Sequence, residues 1–250
     1  MPSNRLTGVY FGETISQSLG DVDADEILQF VVQTSTAIAD YDEKLVLTDI
    51  DTFKTKVANK GLAETTEIIE DILSSLGRTD FYVYSVKTDT AAGWKEAVTC
   101  GAHLKEIHKV IFYEENAMSG AGALSIGAKM TALGEACHTT STTGGFRVAY
   151  VTPQKTIDDA VAGATNVEPV ATVISTFSGM MGSINDGRVA VVLPDGAQEM
   201  NKVICTKEFN EEIGYGYIPN LNTVTYNFTD QQLVSLRNMG VIVPRPVWEA

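Results

Sequence analysis

The sequence predicts an α/β fold: a mainly parallel or mixed sheet flanked by helices, with an extended N-terminal arm. Four short runs, residues 81–86 (FYVYSV), 110–113 (VIFY), 146–151 (FRVAYV) and 188–193 (RVAVVL), are rich in Val, Ile and aromatics. Gly, Pro, Asp or charged residues bound each of them, as expected of buried strands. Between them lie residues 91–107, 120–137 and 156–181, long enough for helices and spaced as crossovers between parallel strands. A third observation predicts the arm. Residues 6–13 (LTGVYFGE) alternate weakly, carry Gly8 and Gly12, and precede a polar run over 14–25, so they make a poor core strand. They read either as an ordinary edge strand or as a segment that adds to another subunit's sheet edge. The expected organisation is an arm over residues 1–20 and an α/β core over 21–250.

Composition bounds what such a fold can do. At 250 residues the chain can form one large domain or two small ones, and a single domain of that size buries roughly 70–75% of its unfolded surface. With 44% hydrophobic and 20% charged residues it reads as soluble and globular. No apolar run approaches the roughly 18 residues that cross a membrane, and the first residues have no signal-peptide core. Thirty-two acidic against 18 basic residues give a net charge of −14, which repels polyanions and makes nucleic acid an unsuitable partner. The acidity reads as a solvated surface, as complementarity to a basic partner, or as adaptation to salt. Cys100, Cys137 and Cys205 are odd in number and widely spaced, a pattern of free thiols rather than a disulfide frame.

In chain order, the apolar core Ile27, Leu28, Phe30, Val31 and Val32 suits a strand at its end. Residues 45–47 form a short strand, after which Thr48 or Asp49 can cap a helix carrying Phe53 and Val57 that ends by Gly61. Ile68, Ile69, Ile72, Leu73 and Leu76 then recur at helical spacing, with Gly77 placed as a C-cap, and this helix feeds the strand at Phe81. Trp94, Ala97, Val98, Ala102 and Leu104 give the next helix its apolar side. The Gly- and Ala-rich helix from Gly120 can approach the sheet closely. Residues 139–145 read as a polar loop, and Pro169 divides residues 156–181 into two helices. Beyond Gly196 the alternation fails: 201–206 and 223–226 read as β-like, while 229–240 is a short helix opened by Thr229 or Asp230 and closed by Gly240. Val241, Ile242 and Val243 begin a strand that Pro244 and Pro246 cut short.

Candidate chemistry is sparse. The run Gly120-Ala-Gly122-Ala-Leu-Ser125 lies between a strand and a helix, where a glycine loop could admit a pyrophosphate to a helix N-terminus. Ser125 stands in place of the third glycine, and the following strand ends without an acid for a ribose, so a tightly packed helix is the simpler reading. Ser125 also sits in a partial nucleophile elbow, but the single later His is His138. Cys100 and His103 could share a metal, with His108, Cys137 and His138 as further ligand types, yet no second paired ligand motif joins them. Tyr82, Tyr84, Phe112 and Tyr113 read as core or sheet-face residues. No catalytic, cofactor or metal site is expected.

Four weak segments in colinear order resemble the contractile-tail sheath proteins of tailed bacteriophages, archaeal viruses and related contractile injection systems. Gly8-Val-Tyr10 with Glu13 is similar to the sheath N-terminal signature, with Thr7 where the family has proline. Val46-Leu-Thr-Asp-Ile-Asp-Thr-Phe53 resembles the family's strand-turn-helix segment. The helix over 64–76 running through Gly77 into the strand at Phe81 resembles another, and Phe228 through Gly240 to Val243 a fourth. The resemblance implies a virion structural subunit, assembled in the host cytoplasm, that stacks with copies of itself as helical rings around an inner tail tube protein. Strand-exchanging arms would join the subunits, and contraction would drive viral genome ejection. It assigns Gly8, Val9, Tyr10, Phe11 and Glu13 to the intersubunit arm, with no cofactor, nucleic acid or membrane as partner, and an acidic subunit would suit a tube of opposite local charge. Sheath proteins continue past the final glycine and strand, whereas this sequence ends at Ala250. It therefore corresponds to an N-terminal portion, a compact variant or a neighbouring tail component. The competing class is an α/β nucleotide- or small-molecule-binding enzyme using Gly120 to Ser125.

Overall fold

A computed structural model describes residues 26–33, 38–86, 90–114, 126–143, 145–153, 188–192, 197–206, 229–238 and 240–243. In chain order these give β1 (Gln29–Gln33), β2 (Val46–Asp49), α1 (Ile50–Val57), α2 (Ala63–Ser75), β3 (Asp80–Val86), α3 (Ala91–Thr99), β4 (Lys109–Glu114), α4 (Ile126–Thr142), β5 (Val148–Pro153), β6 (Val189–Val192), α5 (Ala197–Thr206), α6 (Asp230–Asn238) and β7 (Val241–Ile242). The strands form one sheet in the order β2-β3-β1-β4-β5-β6-β7. β2 is antiparallel to β3, and every other pairing is parallel. This is the mixed α/β sheet that the alternation of strand and helix predicts.

The two-residue period of a strand sorts its side chains to two covered faces. Phe30, Val32, Phe81, Val83, Ile111, Tyr113, Val148, Tyr150 and Val192 face one layer, packed with residues of α1, α2 and α5. Val31, Tyr84, Val86, Val110, Phe112, Ala149, Val151, Val189 and Val191 face the other, with α3, α4 and α6. Burial on both sides is why the parallel strands read as nearly continuous apolar runs. Aromatic rings tie elements together in each layer. Phe81 meets Phe30 and Phe53 edge-on, each at 5.5 Å. On the opposite face Trp94 stacks on Phe112 at 4.8 Å, and the Lys129 ammonium lies 4.9 Å from the Trp94 ring centroid.

Local signals set several boundaries. Asp49 caps α1 by accepting from the Thr52 backbone N–H at 2.8 Å and the Thr52 hydroxyl at 2.7 Å. α2 closes as a Schellman turn: Gly77 takes φ +63°, and the Arg78 N–H donates to the Leu73 carbonyl at 3.0 Å. Thr229 and Gln232 bond reciprocally at the start of α6, the Gln232 carboxamide accepting from the Thr229 N–H at 2.8 Å and the Thr229 hydroxyl from the Gln232 N–H at 3.4 Å.

Three expectations are corrected. α3 ends at Thr99 rather than running to 107: Gly101 takes φ +62°, and the buried guanidinium of Arg147 holds the carbonyls of Val98, Cys100 and Gly101. Residues 139–142 are the last turn of α4 rather than loop. The hydroxyls of Thr139, Ser141 and Thr142 donate back to the carbonyls of Glu135, Cys137 and Thr139 at 2.8, 2.9 and 2.7 Å, so the polar residues stay within the helix. Residues 201–206 belong to helix α5 rather than a strand, because Met200, Ile204 and Cys205 recur at helical spacing on the face that meets the sheet. The helices expected within 156–181 and the β-like run 223–226 lie outside the described residues.

Candidate functional site

The predicted arm residues Gly8, Val9, Tyr10, Phe11 and Glu13 lie outside the described residues, as do Gly120, Gly122 and Ser125. The remaining sequence candidates are dispersed. The Cys100 thiol donates to the Ala97 carbonyl at 3.5 Å, and burial pushes it up to about 12, so it is protonated at neutral pH. The His108 ring contacts the Phe146 carbonyl at 3.3 Å through Nδ1, while His138 Nδ1 lies 3.2 Å from a guanidinium nitrogen of Arg188. Among the described residues no group of three or more His, Cys, Asp or Glu side chains is arranged to hold a metal. Phe112, Tyr84 and Tyr113 are buried in the two core layers, and half-buried Tyr82 donates its hydroxyl to Glu106 at 3.1 Å. Burial raises the phenols of Tyr84 and Tyr113, which keeps them neutral packing groups.

Buried polar groups gather instead at the two ends of the parallel strands. At the amino end, the almost wholly buried Lys109 ammonium pairs with the Glu26 carboxylate at 3.0 Å. Beside it, Arg147 spans from the start of β5 to the end of α3. The Ile27 N–H donates to the Glu106 carbonyl at 3.0 Å, so the entry to β1 is bonded to the loop before β4. At the carboxyl end, Asn201 of α5 donates to the Thr152 hydroxyl at 2.9 Å and also interacts with the Tyr113 hydroxyl, while among the described residues Gln33 Oε1 and Ser85 Oγ are buried without a hydrogen-bond partner. β1 lies between β3 and β4; its chain continues to the layer of Ile38 and Tyr41, whereas β3 and β4 lead to α3 and α4 on the opposite layer. Such a reversal is where open α/β sheets carry ligand crevices. The described residues bring no nucleophile and base together there, and among them the sheet's edges are β2 on one side and β7 on the other.

Those edges are unequal. β7 is a two-residue strand. β2 is longer, pairs with β3 through Val46↔Val83 to Asp49↔Asp80 without a bulge, and among the described residues has no strand on its outer side. Leu47, in the middle of β2, is 51% exposed, one of two large apolar side chains that stand out in solvent among the described residues. A lone exposed leucine is ordinary; one on an open strand edge marks a surface suited to pairing. Sequence reasoning saw residues 45–47 as a strand but had no signal that it would be the sheet's outer one, because order within a sheet is set by crossovers.

No family model matches the sequence, and no curated protein matches it. Among solved structures, the chain superposes on a chain of the helical sheath of the anti-feeding prophage (AFP), determined by cryo-EM in the contracted state, with a TM-score of 0.52 and 12% identity. The fold is similar to that of this sheath chain. The match covers 98% of the present chain and 65% of the sheath chain, so the protein spans about two thirds of the length of the structure it matches. At 12% identity the match is a likeness of fold, and fold by itself assigns no activity.

Proposed function

We propose that this protein is a structural subunit of a contractile sheath, self-assembling in helical rings around an inner tube and acting without catalysis or cofactor. The observation that carries this reading is the sheath-like fold over 98% of the chain, together with the colinear order of the four sequence segments that resemble sheath proteins. In this reading Gly8, Val9, Tyr10, Phe11 and Glu13 form an arm donated to a neighbouring subunit, the partners are further copies of the chain and a tube protein, and the assembly is part of a phage tail or a related injection machine. The compact two-layered core then moves as a rigid body during contraction, with the arms keeping the lattice connected.

Deleting residues 1–13 tests the arm. The truncated chain is expected to keep the circular dichroism and melting temperature of the full chain but to sediment as a single chain under conditions where the full chain assembles. Assembly unchanged by the deletion would sink the arm assignment. One observation favours a second reading, a nucleotide- or small-molecule-binding protein using Gly120 to Ser125: that run lies between the carboxyl end of β4 and the start of α4. A nucleotide that raises the melting temperature would support it, since a ligand bound only by the folded state must stabilise that state.

A further inference from the structure

We propose that the carboxyl end of β1 and the first turn of α3 bind a small oxyanion that also carries a hydroxyl group, hydrogen phosphate being the simplest example. This site is independent of the sheath reading and uses none of residues 120–125.

Gln33, the last residue of β1, is 9% exposed, and among the described residues its Oε1 is buried without a hydrogen-bond partner. A buried carboxamide oxygen without a donor costs free energy, which a ligand's hydroxyl would recover. Side-chain alternation sets Gln33 on the same face as Gln29 and Val31, the face covered by α3 and α4. Gln29 bears this out, since its Nε2 donates to the Ala97 carbonyl of α3 at 2.5 Å.

α3 joins two strands that are both parallel to β1, so it runs back against them. From Ala97 to Thr90 the helix retreats by about 10 Å, while β1 advances by about 13 Å from Gln29 to Gln33, which brings the carboxamide level with the N-terminus of α3 to within about 3 Å. There the Thr90 hydroxyl accepts from the Gly93 N–H at 3.1 Å, and the Thr90 carbonyl from the Trp94 N–H at 3.1 Å. The N–H groups of Ala91 and Ala92, both exposed residues, stand outside the helix's own bonding. Such an N-terminus attracts anions through its dipole and its amides. A cation lies close by: Lys129, in the first turn of α4 and 3% exposed, holds its ammonium 4.9 Å from the Trp94 ring centroid. The place is also the reversal at β1, where open α/β sheets hold ligands. Donors from α3 and an acceptor from Gln33 at one height call for a ligand with both acidic oxygens and a hydroxyl. Hydrogen phosphate has both, and sulfate has the oxygens alone.

Thermal unfolding of the full chain at neutral pH and constant ionic strength tests the site, with inorganic phosphate as probe and sulfate as the matched anion without a hydroxyl. Phosphate at about a hundredfold excess over its Kd is expected to raise the melting temperature by about 5 °C or more beyond any rise in sulfate. Gln33→Leu should melt above the parent in the absence of phosphate, because the orphaned oxygen is gone, and should lose the phosphate-specific rise. Ala91→Pro removes one first-turn donor where the backbone already suits proline, Thr90 being extended at φ −128° and ψ 152°. It should fold as the parent does and bind phosphate about tenfold more weakly, and it keeps the test decisive should Gln33→Leu not fold. Equal rises in phosphate and sulfate, or a phosphate-specific rise that survives undiminished in either variant, would overturn the proposal. Self-assembly is read separately, by the deletion experiment above.

Discussion

Arg147 shows how much one side chain can decide in this fold. It is fully buried at the start of β5, and its guanidinium donates to the carbonyls of Cys100 at 3.0 Å and Gly101 at 2.6 Å as well as to that of Val98. Burial pulls its pKa below the ordinary arginine value, yet the cation stays charged and sits at the negative end of α3. The corner is tight: a Cβ built on Gly145 would lie 2.5 Å from the Ala102 carbonyl oxygen. Arg147→Met should leave those carbonyls buried without their donor and cost about 3 kcal/mol. Urea unfolding should then show a lower midpoint at unchanged m-value; a loss below about 1 kcal/mol would mean that water replaces the guanidinium. This role was not legible in the sequence, where Arg147 is simply part of the run 146–151 read as a buried strand. Only the return of β5 beside the end of α3 gives the arginine its carbonyls.

Element by element, the legible parts are those whose signals are local. Asp49 as a cap, Gly77 as a terminator and the apolar stripe of α2 each depend on residues within a few positions, and the structure has them where the pattern requires. α5 was not legible as a helix, because Val203, Ile204, Cys205 and Thr206 favour a strand intrinsically, and it is packing against α2 and the sheet that holds them helical. The Asp49 cap carries a pH prediction. Hydrogen bonds from the Thr52 hydroxyl and N–H hold its carboxyl below its ordinary value of 3.8. A carboxyl depressed on folding contributes stability above its unfolded pKa and loses that contribution as pH falls through the folded one. Asp49→Ala should therefore be less stable than the parent at pH 7, and the difference should shrink progressively below about pH 4. A difference that persists undiminished in acid would show that the cap works through shape rather than charge.

For the molecule as a whole, the α/β class was legible because a sheet covered on both faces writes apolar runs into its strands, and the crossovers between them need helix-length segments. The order of strands was not, since nothing in residues 45–49 distinguishes an outer strand from an inner one; it follows from β1 lying between β3 and β4. The functional reading was legible only as four weak segments in sequence, each individually unspecific, and gains its support from a fold likeness spanning 98% of the chain. Leu47 is likewise inconspicuous in sequence, and its exposure is visible only once β2 is placed in the sheet. Electron microscopy of the purified full-length protein across a range of concentration and salt tests the central claim most directly. Self-assembly as a sheath predicts rings or tubes with helical order. Uniform single particles under every condition would contradict it and move the weight to the ligand-binding reading.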